Sequence, residues 1–211
     1  MQPFWMELKV RLLADLHTAG PGRSVPLVDR CVEVDARGEP FIPASSFRGR
    51  VRAHLERLLS ALGHPVCQPP NPARMCPLED GTFCLACQIF GNPSRQSAIH
   101  FSDLKPAQAV PELPVRVGIG INRDLQTVEA QRLFLLETVP VSDVEFVGTV
   151  EGWLLSDQLG WLIGAIGLIT HLGGNKARGL GRVQVEITRL LYPSPNTEID
   201  HRALLKEVLS P

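Results

Sequence analysis

Four cysteines fall close together in the chain, Cys67, Cys76, Cys84 and Cys87, spaced C-x8-C-x7-C-x2-C. Thiolates bind zinc tetrahedrally, and a C-x2-C pair can place two sulfurs on one ion through a tight turn. Four cysteines would close the coordination shell and leave no position for water, so the pattern predicts a structural zinc and not a catalytic one. His64 is an alternative ligand. The neighbouring Pro69-Pro70-Asn71-Pro72 cannot build a core, so a metal would organise an otherwise loose segment. The plain alternative is four free thiols. The fifth cysteine, Cys31, stands apart.

Two further groups are cationic. Arg48, Arg50 and Arg52 follow Ser45 and Ser46 at the start of an apolar-periodic segment. A helix N-terminus offers free N–H groups and a positive dipole end, and with arginines it suits a phosphate. Arginines are otherwise poorly placed at a helix start, which favours a functional reading over a solvated polar face. The second group is the loop Gly173-Gly174-Asn175-Lys176-Ala177-Arg178-Gly179-Leu180-Gly181. Glycines let a backbone approach a ligand, and successive N–H groups can cradle phosphate. It is neither a Walker loop nor a dinucleotide fingerprint, and glycine loops without ligands are common. Asp29 lies among Arg23, Arg30 and Arg37. A lone carboxylate there can bind a divalent ion or act as a base, but by spacing alone it reads as a surface aspartate in a salt bridge. His17 has the same status. Neither a Ser-His-Asp set nor H-E-x-x-H is present.

Residues 6–14 alternate as a strand, followed by a loop at 17–23 and a short strand-like stretch at 25–35. A helix spans Ser46–Leu62, with Ser45 or Ser46 as cap, a stripe of Phe47, Val51, Leu55, Leu58, Leu59 and Leu62, and Gly63 as stop. Residues 64–97 are irregular. Strands follow at 99–101, 113–121 and 131–139, with the polar stretch Asn122–Ala130 as a hairpin tip or loop. A strand at 144–153, a buried helix from Asp157 to about Leu172 capped by Ser156, a strand at Val183–Leu191 and a short helix at 201–209 complete the chain. Without the cysteine segment and the hairpin, the order is β-α-β-β-α-β, which predicts an α+β, ferredoxin-like core.

The chain has 211 residues, 44% hydrophobic and 20% charged, with a net charge of −1. That excludes wholesale disorder and suits one domain with its own core. No apolar run reaches the roughly 18 residues of a membrane span. Met1-Gln2-Pro3-Phe4-Trp5 does not read as a signal peptide, so the expected location is cytoplasmic. The net charge does not exclude nucleic acid, because Arg48, Arg50, Arg52, Lys176 and Arg178 cluster on two elements while Glu112, Asp143, Glu145, Glu151 and Glu198 lie elsewhere.

Phe41-Ile42-Pro43-Ala44-Ser45-Ser46-Phe47-Arg48-Gly49-Arg50-Val51-Arg52, the Cys87-Gln88-Ile89-Phe90-Gly91 turn and the glycine loop together resemble the RAMP superfamily of CRISPR-associated proteins, most closely the backbone subunit of type III effector complexes. The cysteine-rich insertion is typical of branches related to the fused single-protein effectors and the type III-D group. The resemblance implies a single RAMP domain over 1–211 with an RRM-like core, a zinc-binding insertion at 64–97 and a protruding β-hairpin thumb at 122–138. It also implies copies, or paralogues, stacked along a CRISPR RNA, with each thumb displacing a nucleotide of the guide–target duplex. Expected partners are CRISPR RNA, single-stranded target RNA and other effector subunits, including a polymerase-like large subunit. By the same resemblance Asp29 takes the position that cleaves target RNA with Mg²⁺. His17, Ser45, Ser46, Arg48, Arg50, Arg52, Arg123, Gly173, Gly174, Asn175, Lys176 and Arg178 are the expected RNA contacts. Alternatives are a non-catalytic RNA-binding subunit, a metal-independent CRISPR RNA processing endonuclease using His17, and a small zinc enzyme.

Overall fold

The computed structural model describes residues 1–20, 23–78, 80–110, 112–142 and 144–209. Pro21 and Gly22 of the loop at 17–23, and Asp143, lie outside the described residues.

Strand β1 (Gln2–Leu12) buries Phe4, Met6, Leu8, Val10 and Leu12 and turns Trp5, Glu7, Lys9 and Arg11 to the opposite face. It pairs antiparallel with β6 (Glu145–Leu154) on one side and β7 (Val183–Leu191) on the other. β2 (Ile99–Phe101) adds to the far edge of β6, giving the order β2-β6-β1-β7, and the short β3 (Lys105–Pro106) also pairs with β6. Since β1 and β2 are both antiparallel to β6, they run parallel to each other, joined through helix α1 (Ala44–Ala61). By the same logic β6 and β7 are parallel, joined through α3 (Ser156–Gly167). Two interlocked split β-α-β units with antiparallel ladders are what the ferredoxin-like order predicts. The apolar face of the sheet is closed by α1 and α3, and α4 (His201–Leu209) packs on α3.

Within this frame several boundaries move. α1 buries Phe47, Val51, Leu55 and Leu59 as its periodicity predicts, while Leu62 lies exposed beyond its end. Gly63, at φ +80°, ends the helix. Neither serine caps it. The chain enters through Pro43, so Ser45 and Ser46 already lie in the first turn, and the free Ala44 N–H is accepted by Asp103 Oδ1 at 2.8 Å. α3 begins at Ser156, its preceding Leu155 N–H held by Gln158 Oε1 at 3.1 Å. It stops at Gly167, short of Leu172, because Val183 N bonds Thr170 O and Leu172 N bonds Gly181 O, which draws the chain after the helix into a hairpin. Residues 25–35 form no strand. Arg30, Val32 and Val34 bridge to three different segments, so no continuous ladder develops.

The insertion between β3 and β6 is a two-stranded sheet, β4 (Val115–Asn122) and β5 (Thr127–Glu137). Asn122 Oδ1 accepts the N–H groups of Asp124 and Leu125, so the turn is shorter than the polar stretch suggested and the arms are longer. The range 122–138 covers the turn and the returning arm, and the outgoing arm lies at 115–122.

Asp103→Ala is expected to lower stability by about 1 kcal/mol through loss of the α1 cap, whereas Ser45→Ala and Ser46→Ala should be near neutral. Urea unfolding of the three variants checks this.

Candidate functional site

Three loops converge where β5 joins the body. The first is the segment around Asp29. Asp29 N–H bonds Leu135 O at 3.0 Å, Asp29 Oδ2 accepts Leu135 N–H at 2.7 Å, and Glu137 N–H bonds Arg30 O at 3.0 Å. Residues 29–30 thus run alongside β5 as a short parallel bridge. Asp29 is exposed, and its Oδ1 has no hydrogen bond among the described residues.

The second is the glycine loop. Gly173 has φ +69°, and a Cβ there would stand 2.3 Å from the carbonyl oxygen of His17. Gly174 N–H bonds that same oxygen at 2.9 Å, and Gly181 N–H bonds Asp15 O at 2.8 Å. Glycine is required for this approach, which is to the chain's own backbone and not to the ligand that the sequence reading had in view. Lys176–Arg178 form one 3₁₀ turn entered through Asn175 in the left-handed region.

The third is the hairpin base. Gly118 faces Phe134 across the β4–β5 ladder, and a Cβ on Gly118 would fall 1.9 Å from the ring. The ring therefore lies across its neighbouring strand, and the Arg178 guanidinium sits 4.5 Å above its centroid. A cleft of about 290 Å³ opens between these parts, lined by Asp29, Arg30, Phe134, Leu135, Leu136, Asn175 and Arg178. It sets one free carboxylate oxygen beside two arginines and an aromatic face. A smaller hollow of about 200 Å³ lies on the other side of the Phe134–Arg178 stack.

His17 is buried behind the glycine loop. Its Nδ1 lies 2.8 Å from Glu137 O, which can only accept, so Nδ1 carries the proton. Among the described residues Nε2 is buried without a hydrogen-bond partner. Thus Asp29, Asn175 and Arg178 meet in the cleft, while His17, Gly173 and Gly174 support it from behind. Arg123 lies exposed in the turn at the far end of the hairpin. Lys176 borders the cleft residues in the 3₁₀ turn.

The helix α1 arginines divide. Ser45 and Ser46 are exposed, and Arg50 makes no hydrogen bond or ion pair among the described residues. Arg48 and Arg52 turn instead to the short helix α2 (Leu85–Phe90) in the cysteine segment. Arg48 Nη2 donates to Phe90 O and its guanidinium lies over the Phe90 ring. Arg52 Nη1 donates to Gly91 O at 3.0 Å, Nη2 reaches Cys87 Sγ at 3.6 Å, and Nε is held by Glu56 at 2.8 Å. Burial, and then the neighbouring Arg52, push Arg48 below its ordinary pKa. Burial also pulls on Arg52, but the Glu56 hydrogen bond and charge outweigh it and hold Arg52 above its ordinary value. Two of the three arginines thus serve the junction between α1 and α2.

The sulfurs of Cys67, Cys76, Cys84 and Cys87 all lie within 4.8 Å of one another and all four residues are buried. Cys67 and Cys87 are 3.5 Å apart. Sulfurs at about 2.3 Å from a tetrahedral zinc stand roughly 3.8 Å from each other, so four buried cysteines this close can bind a metal such as zinc. Burial pushes the Cys76 thiol up to about 11 and raises Cys87 as well. Burial acts the same way on Cys84, but hydrogen bonds from the Cys67 and Cys87 backbone outweigh it and lower that thiol. His64 is not part of the group. Its ring packs edge-on against Trp161 at 5.2 Å. The segment is also better anchored than its prolines suggested, since Ile89 and Phe90 are buried and Phe90 stacks on Phe101 at 6.1 Å.

Sequence reasoning noted Arg30 only as a neighbour of Asp29, and missed Phe134, Glu137 and the Asp15–Arg116 pair at 2.7 Å that steadies the hairpin base. Phe134 was findable as the one aromatic residue between Phe101 and Phe146. Fold and cleft together define an α+β protein with a split β-α-β core, a long hairpin and a charged cleft at its root. A family model of the RAMP superfamily matches residues 9–184, and the chain belongs to that superfamily. Membership points to a CRISPR-associated, RNA-binding role. A comparison with curated proteins found no match. No helix among the described residues is long and apolar enough to cross a membrane.

Gly173→Ala is expected to cost about 3 kcal/mol, combining left-handed strain with a backbone clash. Gly179→Ala, at φ +81° but with open space around it, should cost only about 1 kcal/mol. Thermal or urea unfolding separates the two.

Proposed function

We propose that this chain is the backbone subunit of a type III CRISPR effector complex, that it holds CRISPR RNA, and that it cuts the guide-paired target RNA at Asp29. The observation that carries the reading is the cleft, where a carboxylate with one unengaged oxygen lies beside Arg30, Arg178 and the root of a long hairpin. Arg178 and the exposed backbone of the glycine loop would hold phosphates. The hairpin, as thumb, would enter the duplex with Val117, Ile119 and Ile121, which are exposed along β4, and would leave one nucleotide displaced near its root. That displacement lets the 2′-OH line up with the adjacent phosphate. In the cut, the bond from O2′ to phosphorus forms as the bond to O5′ breaks. The 2′-OH proton leaves and the 5′ oxygen gains one, giving a cyclic phosphate and a 5′-OH. A Mg²⁺ ion at Asp29 Oδ1 would supply Lewis-acid stabilisation of the phosphate charge.

In this reading residues 1–211 form one RAMP domain, the segment 64–97 is a zinc-holding insertion of the cysteine-rich, type III-D-like kind, and the working compartment is the cytoplasm. Copies or paralogues stack along the CRISPR RNA beside a polymerase-like large subunit. Ser45, Ser46, Arg50, Lys176 and Arg123 are further contacts for RNA. Arg48 and Arg52 reach RNA less directly, through the stability of α1.

A second reading, a non-catalytic RNA-binding subunit, is favoured by one observation. The Asp29 Oδ2 bond to Leu135 N–H gives the aspartate a structural task. Burial of His17 counts against a processing endonuclease that would use it as general base. The closed set of four thiols counts against a zinc enzyme.

Asp29→Asn keeps an acceptor for Leu135 N–H and removes the charge. In the assembled complex with Mg²⁺ it should slow target RNA cleavage by at least about 100-fold and leave RNA binding unchanged. Cutting at the wild-type rate on a denaturing gel would return the chain to the non-catalytic reading. Stripping metal with a strong chelator should loosen the cysteine segment and weaken assembly, visible as lost circular dichroism signal. Because bound thiolates must shed their protons, zinc affinity should fall as pH is lowered, by roughly tenfold per pH unit for each proton taken back. The sign follows from proton competition for the thiolates, and the burial-raised Cys76 and Cys87 extend the dependence toward higher pH.

A further inference from the structure

A zinc ion with four thiolates carries a net charge of about −2, and here the four ligands are buried. A buried charge of that size is costly unless cations offset it. The cation that reaches the sulfurs is Arg52, and Arg48 stands four residues earlier on the same face of α1. Arg52 Nη2 points at Cys87 Sγ from 3.6 Å, and Nη1 of the same fork holds Gly91 O. Glu56 grips Nε and so fixes the plane of the fork without occupying either of the two Nη donors. Arg48 adds its charge one turn earlier and holds Phe90 O, at the negative end of α2.

We propose that Arg52, assisted by Arg48, is the counter-charge of the cysteine-bound metal and the residue that positions Cys87 for it. The assignment rests on the zinc reading above. It gives two of the three arginines in the run a task other than phosphate binding, and it couples occupancy of the metal site directly to α1. A thiolate that accepts an N–H bond is fixed in orientation and has its charge partly offset, which is how outer-shell groups orient ligands and tune such centres.

The full-length chain is prepared with zinc and, separately, with cobalt(II) as a spectroscopic probe. Wild type should hold one zinc per chain. Arg52→Met should weaken zinc binding about 10–100-fold against a chromophoric chelator and shift the thiolate-to-cobalt charge-transfer band, with circular dichroism preserved. Arg52→Lys should recover part of the affinity, and Arg52→Gln, a donor without charge, less. A folded Arg52→Met variant with wild-type affinity and an unshifted band overturns the assignment while leaving the zinc reading standing. A wild-type chain that takes up neither zinc nor cobalt overturns both. Should the methionine variant fail to fold, the lysine and glutamine variants decide, since wild-type affinity and an unshifted band in both would equally overturn the assignment.

Discussion

Glu137 is the point through which the candidate cleft is assembled. Its carboxylate is buried at the end of β5 and accepts Val32 N–H and Arg23 Nη1, each at 2.9 Å. Its own N–H holds Arg30 O, and its carbonyl holds His17 Nδ1. One residue therefore ties the hairpin to the loop that carries Asp29 and to the histidine on which the glycine loop rests. A buried carboxylate is tolerable only when such partners are present, so the three segments and Glu137 stand or fall together. Asp29 is held in this arrangement by its two bonds to Leu135, next to the Val25–Val28 turn.

The parts that were legible in the sequence are those set by short-range periodicity. The alternation of β1 and β6 and the stripe Phe47, Val51, Leu55 and Leu59 gave the sheet and α1 directly. The glycine-rich stretch was legible as a loop, and the structure puts its glycines 173, 179 and 181 at positive φ. The spacing of the cysteines marked four side chains that do converge. What stayed hidden depends on partners distant in the chain. The α1 cap comes from Asp103, 59 positions away from Ala44, and no pattern near Ser45 could reveal it. Glu137 lies within the expected strand 131–139, where alternation alone gives a charged residue no reason to be buried. Its burial follows from Arg23 and Val32, more than 100 positions earlier.

The arginine run shows the same limit. Periodicity placed Arg48 and Arg52 off the core stripe, and a polar face at a helix start suggested solvent or phosphate. The cysteine segment folds back over that face, and the free carbonyls at the end of α2 claim both guanidinium groups. The first N–H of α1 is meanwhile answered by the Asp103 carboxylate, so the positive end of the helix is partly neutralised from within the chain. A count of charges cannot distinguish an arginine that faces a ligand from one that closes an internal junction. Geometry separates Arg50 and Arg178 from Arg48 and Arg52.

The hairpin raises a different question of stability. Two strands alone are marginal in water, and β4 exposes Val115, Val117, Ile119 and Ile121 in alternation. Its root is steadied by the Arg116–Asp15 pair, the Phe134–Arg178 stack made possible by Gly118, and the Glu137 bonds. Beyond that root the main contact of the arms among the described residues is the ladder between them. The Phe134–Arg178 stack that steadies the root is also part of the cleft wall. Since Leu135 holds Asp29 by both its N–H and its carbonyl, seating of the hairpin on a partner and the position of the Asp29 carboxylate are mechanically linked.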